Sequence, residues 1–224
     1  MILEQIPFLI FALFGATLIA SISMIYFASR SKIFLISASV WIIIQSTITL
    51  LGIYQQTELM PPRIMLYGIF PAILIIAFSL LLKQNQEFIN SFNLKTLTYL
   101  HVIRLPVEIC LALLYHHETM SIYVTYDGTN FDIISGISAP IIAFVCFKKD
   151  RIQKKILLIW NIVCMLLLIN VVVTAILSTP SPLQQLAFDQ PNTAILYFPF
   201  SLLPTMIAPI VLFAHLVAIK KITK

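Results

Sequence analysis

Charged residues are scarce in this chain. They make up 10% of its 224 residues, whereas 60% of the residues are hydrophobic and the mean hydropathy is +0.99. Soluble domains are about 25% charged and about 45–50% apolar, so a water-soluble globule and a disordered chain are excluded. The net charge of +5 does not indicate a nucleic-acid partner, because the basic residues lie in short connections between apolar runs and form no clustered basic face.

Glycine and cysteine are also rare, with five and three residues. The cysteines Cys110, Cys146 and Cys164 lie inside apolar runs without CxxC spacing, which favours buried apolar side chains over a disulfide or a metal site. The chain contains no HExxH, GxSxG, Walker A or GxGxxG motif. Its last apolar run has no lysine, which excludes a retinal Schiff base. We therefore predict no cofactor and no bound metal.

The apolar runs are long enough to cross a bilayer, since about 20 mostly apolar residues cover about 30 Å of hydrocarbon. We predict an all-α, polytopic membrane protein that forms a single domain, because the connections are too short for a soluble one. The apolar runs lack the alternation of apolar and polar residues that is typical of strands in membrane β-barrels. The seven predicted spans are 6–28, 33–53, 64–82, 97–116, 132–147, 155–177 and 194–219.

The distribution of Lys and Arg predicts the orientation. Twelve of the 14 basic residues follow spans one, three and five or end the chain, whereas the other side has Arg63 and span four contains Arg104. By the positive-inside rule, the N-terminus lies outside and the C-terminus in the cytoplasm, in a bacterial plasma membrane. The twelve are Arg30, Lys32, Lys83, Lys95, Lys148, Lys149, Arg151, Lys154, Lys155, Lys220, Lys221 and Lys224. The acidic residues on the outer side are Glu4, Glu58, Glu118, Asp127, Asp132 and Asp189.

Span four carries a polar stripe that contains His101, Arg104 and Glu108. These residues lie on one face of a helix, which should turn toward the protein interior or a water-filled cavity. Arg104 is about 10 Å from the cytoplasmic end and can extend toward the interface, whereas Glu108 is about 16 Å deep. Glu108 must pair with Arg104, be protonated or face water. The stripe is therefore either an ion pair that fixes helix packing or a binding and proton-handling site.

Spans six and seven bring further polar groups to a similar depth. If these helices are neighbours of span four, Asn161 and His215 join His101 and Arg104 in one cluster. Two histidines at matching depth could also ligate a haem, but the scarcity of glycine disfavours this alternative. Span seven also contains three prolines, Pro199, Pro204 and Pro209, which should kink or unwind it, either to line a cavity or for packing alone.

The outer loop before span five contains Asp127, Asn130 and Asp132. An Asp-Gly turn followed by a helix cap explains this pattern, and a weak cation site is the alternative. The full calcium-loop pattern is absent, because the glycine comes second.

These patterns support three hypotheses of function. The first is a carrier or sensor in which Arg104 holds a small anionic solute and Glu108 responds to protons or cations. The second is a membrane-embedded enzyme that uses His101, Glu108 and His215 on a lipid or with a metal. The third is a structural subunit of a membrane complex, which the sparse small residues disfavour.

Overall fold

The computed structural model of the protein describes residues 5–148 and 152–223. Four residues that enter the charge distribution above, Glu4, Lys149, Arg151 and Lys224, lie outside this range. The described chain is all-α, as the composition predicts. Its α-helices, in chain order, are α1 (Phe8–Ser29), α2 (Lys32–Leu50), α3 (Phe70–Leu81), α4 (Gln86–Ser91), α5 (Leu94–Leu100), α6 (Arg104–His116), α7 (Ile133–Cys146), α8 (Lys154–Leu177) and α9 (Ala208–Ile222).

Several of these helices are long and apolar enough to cross a membrane. In the described residues there are five such spans, formed by α1, α2, Leu94–His116, α8 and Leu203–Ile222. A sixth results if Met65–Leu81 and Lys83–Ser91, which meet at 81°, count as one span. Helix α7 has 14 residues, fewer than the roughly 20 that a perpendicular span needs. The multi-pass architecture is confirmed, with five or six such spans.

Apolar side chains cover the outside of the bundle as well as its core. Phe8, Ile33 and Leu81 are each more than three-quarters exposed. In water such a surface would be strongly unfavourable, whereas in a bilayer it contacts lipid. The interior is built around α9, which packs against α3, α5 and α8, while α1 packs against α5 and α6.

Two π-helical turns, Met65–Ile69 and Leu203–Ile207, interrupt the helices that end in α3 and α9. Each is followed two residues later by a proline, Pro71 or Pro209, which cannot donate to the carbonyl four residues before it. The residue before each proline instead donates to the carbonyl five residues back, which produces the π turn. The predicted break in span seven thus has a proline at its origin.

Helix α2 satisfies the two carbonyls that these prolines leave free. Gln45 Nε2 donates to the Tyr67 carbonyl at 3.0 Å, and Trp41 Nε1 donates to the Thr205 carbonyl at 2.8 Å. Trp41 and Gln45 are one helical turn apart, so they face the same side. This arrangement allows both breaks to persist inside the bundle without unpaired carbonyls.

The loop between α6 and α7, which we call the inserted loop, folds back into the bundle. Val124, Thr125 and Asn130 are buried, although the loop was predicted to lie at the outer surface. Asn192 accepts from the Ser121 amide at 2.8 Å through its side-chain oxygen, which holds the loop to the segment before α9. The loop therefore brings Thr125 and Asn130 into the interior of the protein.

Candidate functional site

A continuous chain of polar side chains crosses the interior of the bundle. It connects Asn161 on α8, His215 on α9, Arg104 at the start of α6, and Asp132, Asn130 and Glu108, and every member is at most 4% exposed. Its charged groups come from one helix, α6, and from the residue that precedes α7. The elements meet because α9 packs against α8 and α6 packs against α7.

Arg104 forms the centre of this chain. Its Nη1 donates to Asp132 Oδ1 in a buried ion pair and to the Cys164 carbonyl at 3.2 Å. Its Nη2 lies 2.8 Å from His215 Nε2. The sequence offered Glu108, four residues away on the same helix, as the ion-pair partner. That alternative is wrong, because the guanidinium pairs with Asp132 from the inserted loop.

The hydrogen bonds of His215 determine its tautomer. A guanidinium can only donate, so His215 Nε2 must accept from Arg104. His215 Nδ1 then carries the proton and donates to Asn161 Oδ1 at 2.9 Å. Asn161 Nδ2 donates in turn to the Leu157 carbonyl at 2.8 Å, which fixes the orientation of the amide. The geometry therefore assigns a neutral imidazole with its proton on Nδ1.

His101 lies behind this chain. Its ring stacks on His215 with centroids 3.9 Å apart and meets Trp160 edge-on at 5.3 Å. Both ring nitrogens are buried without a hydrogen-bond partner among the described residues. The predicted cluster of His101, Arg104, Asn161 and His215 is thus present as a geometric arrangement, with His101 attached by stacking.

Glu108 is held by the inserted loop. Asn130 Nδ2 lies 2.7 Å from Glu108 Oε1 and 2.8 Å from Oε2, and it also donates to the Val124 carbonyl at 2.9 Å. Asn130 Oδ1 accepts from the Asp132 amide at 2.9 Å, so the amide group presents its nitrogen to Glu108. Both oxygens of Glu108 therefore act as acceptors.

Asp132 occupies the N-cap position of α7 without capping it. No hydrogen bond joins its side chain to the helix backbone, and Oδ1 accepts from Arg104 and from Ser135 Oγ at 3.3 Å. Asp127 is exposed at the turn, apart from Asn130 and Asp132. Among the described residues, no group of three His, Cys, Asp or Glu side chains is arranged to hold a metal.

A cavity of about 280 Å³ opens beside these charges. Arg104, Glu108 and Asp132 are the buried charged residues of its lining, which we call the floor, and its walls are almost entirely apolar. His101 and His215 do not line it. Representative wall residues are Leu111, Met120, Val172, Ile195, Ile207 and Leu212. The size lies just below the range of about 300–1,000 Å³ that is typical of ligand pockets.

Both π turns contribute to the wall. Pro204 and Pro209 line the cavity, whereas Pro199 lies outside the lining. The two turns touch at Gly68, where an added Cβ would lie 2.4 Å from Thr205 Cγ2. A glycine is therefore needed for this close approach.

The outer end of the cavity reaches the loops that follow α2 and α8. Gln56, Thr57 and Ser181 line it there, together with Tyr54. Burial raises the pKa of the Tyr54 hydroxyl, which stays protonated and donates to Gln45 Oε1. This bond connects the cavity mouth to the side chain that supports the first π turn.

Sequence reasoning missed the connections to α2 and to the inserted loop. Trp41, Gln45 and Ser135 were not singled out, because a lone polar residue in an apolar helix has no periodic signature. One signal was available: a proline inside a predicted span leaves a carbonyl free, and a neighbouring helix must supply a donor.

Comparison with known proteins places the chain in a family but does not assign it an activity. Residues 61–223 match the family model described as Domain of unknown function (DUF8737). Neither the curated proteins nor the solved structures include a match. The matched range contains the polar chain and both π turns. Because it covers more than half of the sequence, the chain belongs to the DUF8737 family.

Proposed function

We propose that this protein is a membrane carrier or sensor that binds an amphipathic small molecule in the cavity. The observation that supports the proposal is the combination of apolar walls with a charged floor inside a membrane bundle. Ionisable groups are costly in the bilayer and are retained mainly where they bind or move something. The wall would hold the apolar part of the ligand, and the floor would hold its polar end.

Access from the lipid is consistent with the lining. Ile169 and Val173, both nearly half exposed on α8, belong to the cavity wall, as does Ile73 on α3. A lateral opening at these partly exposed wall residues would give access from the lipid. An amphipathic ligand can then reach the floor from the bilayer.

We further propose that the protein forms one domain of seven spans, with the N-terminus outside. Helix α7 and Met65–Leu81 would be the two short spans, and the loop before α7 would be re-entrant. Thiol labelling of intact cells tests this topology with the exposed positions Asp127 and Lys83. An impermeant maleimide should label Asp127→Cys and leave Lys83→Cys unlabelled. The reverse pattern would contradict the orientation.

Binding can be tested with three ten-carbon amphiphiles, decanol, decylamine and decanoate. The purified full-length protein in phosphatidylcholine nanodiscs is titrated with each, and occupancy is measured by native mass spectrometry. At least one amphiphile should bind at a single saturable site. In Val172→Phe, a larger side chain would fill the cavity and reduce the occupancy about tenfold or more.

The matched control is Val163→Phe, the same change at a lipid-facing position of α8 outside the lining. It should bind as the wild type does. If no amphiphile binds the wild type, or if both variants bind equally well, the cavity is not a ligand site.

A further inference from the structure

We propose that the cavity selects an amphiphile with a cationic amine headgroup, and that Glu108 binds it. This inference rests on the proposed function and names the ligand class of the same cavity. It differs from the anionic solute that Arg104 alone suggested in the sequence.

The charges at the floor do not balance. Arg104 contributes one positive charge, which Asp132 neutralises in the ion pair. His215 is neutral, because it accepts from Arg104 and donates to Asn161. Glu108 is bonded at both oxygens by a neutral amide and has no cationic partner among the described residues. A cationic headgroup beside Glu108 would stabilise its ionised form, in which the floor carries a net formal charge of −1 before the ligand binds.

The free hydrogen-bonding capacity at the floor also matches a donor ligand. Both hydrogens of Arg104 Nη1 and one of the two on Nη2 already donate to protein acceptors, as does the amide nitrogen of Asn130. Arg104 Nε is buried and has no hydrogen-bond partner among the described residues. By contrast, the bonds of Asp132 all involve Oδ1, and each carboxylate oxygen can accept more than one bond. The free acceptor positions of Asp132 and Glu108 outnumber the remaining N–H groups of Arg104, which favours an ammonium headgroup over an anionic one.

The walls favour an apolar tail. Among the described residues no lysine lines the cavity, and the second arginine of the lining, Arg63, has its guanidinium 5.8 Å from the ring centre of Tyr67. A tail that extends from Glu108 therefore has apolar side chains of the wall to pack against, among them Leu111, Val172 and Ile207. A small hydrated cation would gain nothing from such walls, whereas an alkylammonium buries its chain there.

The headgroup is tested in the same nanodiscs by comparing decylamine, decanol and decanoate, which share a chain length. Decylamine should bind about tenfold or more tightly than the other two, as expected for one charge-assisted hydrogen bond. Glu108→Gln should remove this preference, so that decylamine binds no more tightly than decanol. The matched control, Glu118→Gln in the exposed turn after α6, should keep it.

The outcomes separate this inference from the proposed function. Equal binding of decylamine and decanol to the wild type, both reduced in Val172→Phe, would overturn the cationic headgroup and leave the cavity as a ligand site. Tighter binding of decanoate would also overturn it. The wild-type comparison needs no variant, so a failure of Glu108→Gln to fold leaves the test intact. Failure of all three amphiphiles to bind the wild type would refute both proposals.

Discussion

Replacement of Asp132 by Asn tests the buried ion pair directly. Asn keeps the size of the side chain but removes the negative charge that neutralises Arg104, and the guanidinium is only 2% exposed. Breaking a buried pair by removing one partner costs about 3–5 kcal/mol, because a charge is left uncompensated. Arg104 retains the Cys164 carbonyl and His215 Nε2 as acceptors. We therefore expect the free energy of unfolding to decrease by about 3 kcal/mol, the lower end of that range.

The measurement is reversible unfolding in mixed bicelles with increasing SDS. The control is Asp127→Asn, an acid in the same loop that is exposed and should change stability by less than about 0.5 kcal/mol. In a double-mutant cycle, Arg104→Met combined with Asp132→Asn should cost less than the sum of the single changes by about 0.5–3 kcal/mol. Equal stabilities for the two Asp→Asn variants, or strict additivity in the cycle, would refute the ion-pair reasoning.

Three further predictions concern the elements that hold the site. Gly128→Ala should destabilise the protein by about 1–3 kcal/mol, because the new Cβ would lie 2.1 Å from a backbone carbonyl oxygen, whereas Gly15→Ala has open space and should be close to neutral in the same unfolding assay. Trp41→Phe should lower the free energy of unfolding by about 1–3 kcal/mol, because the Thr205 carbonyl loses its donor. The loss should be smaller in a Pro209→Ala background, where the restored amide of residue 209 can donate to that carbonyl. An equal loss in both backgrounds would contradict the explanation of the π turn. The ¹⁵N NMR spectrum of His215 should show a neutral ring with its proton on Nδ1, and a doubly protonated ring would contradict the assigned hydrogen bonds.

Much of the helical architecture could be predicted, and the departures have local causes. The predicted spans over α1, α2 and α8 match single helices, because a continuous apolar run dictates a helix in lipid. The run 194–219 is equally apolar, yet its first half is irregular, with a 3₁₀ turn at Ala194–Leu196 and a π turn at Leu203–Ile207. Prolines predicted a break there, but its extent depends on which neighbouring donors satisfy the free carbonyls.

The ionisable residues of the candidate site could be recognised from the sequence, but their ion-pair and hydrogen-bond partners could not. Arg104, Glu108 and His215 stood out because ionisable residues are rare in apolar runs. Asn130 and Asp132 were noted for a different reason, as turn and cap residues. Their contacts with Glu108 and Arg104 depend on a loop that folds inward, and no periodicity in the sequence encodes that path.

The sequence by itself determined that the chain belongs in a membrane, because long apolar runs with few charges are stable in lipid and not in water. It also determined that a few ionisable groups must be buried. Only the tertiary structure decided how those groups pair. Helix spacing placed Glu108 within reach of Arg104, but in a low-dielectric interior the pair forms with the carboxylate that packing brings closest, and that is Asp132. Glu108 is consequently left beside an apolar cavity without an ion-pair partner among the described residues.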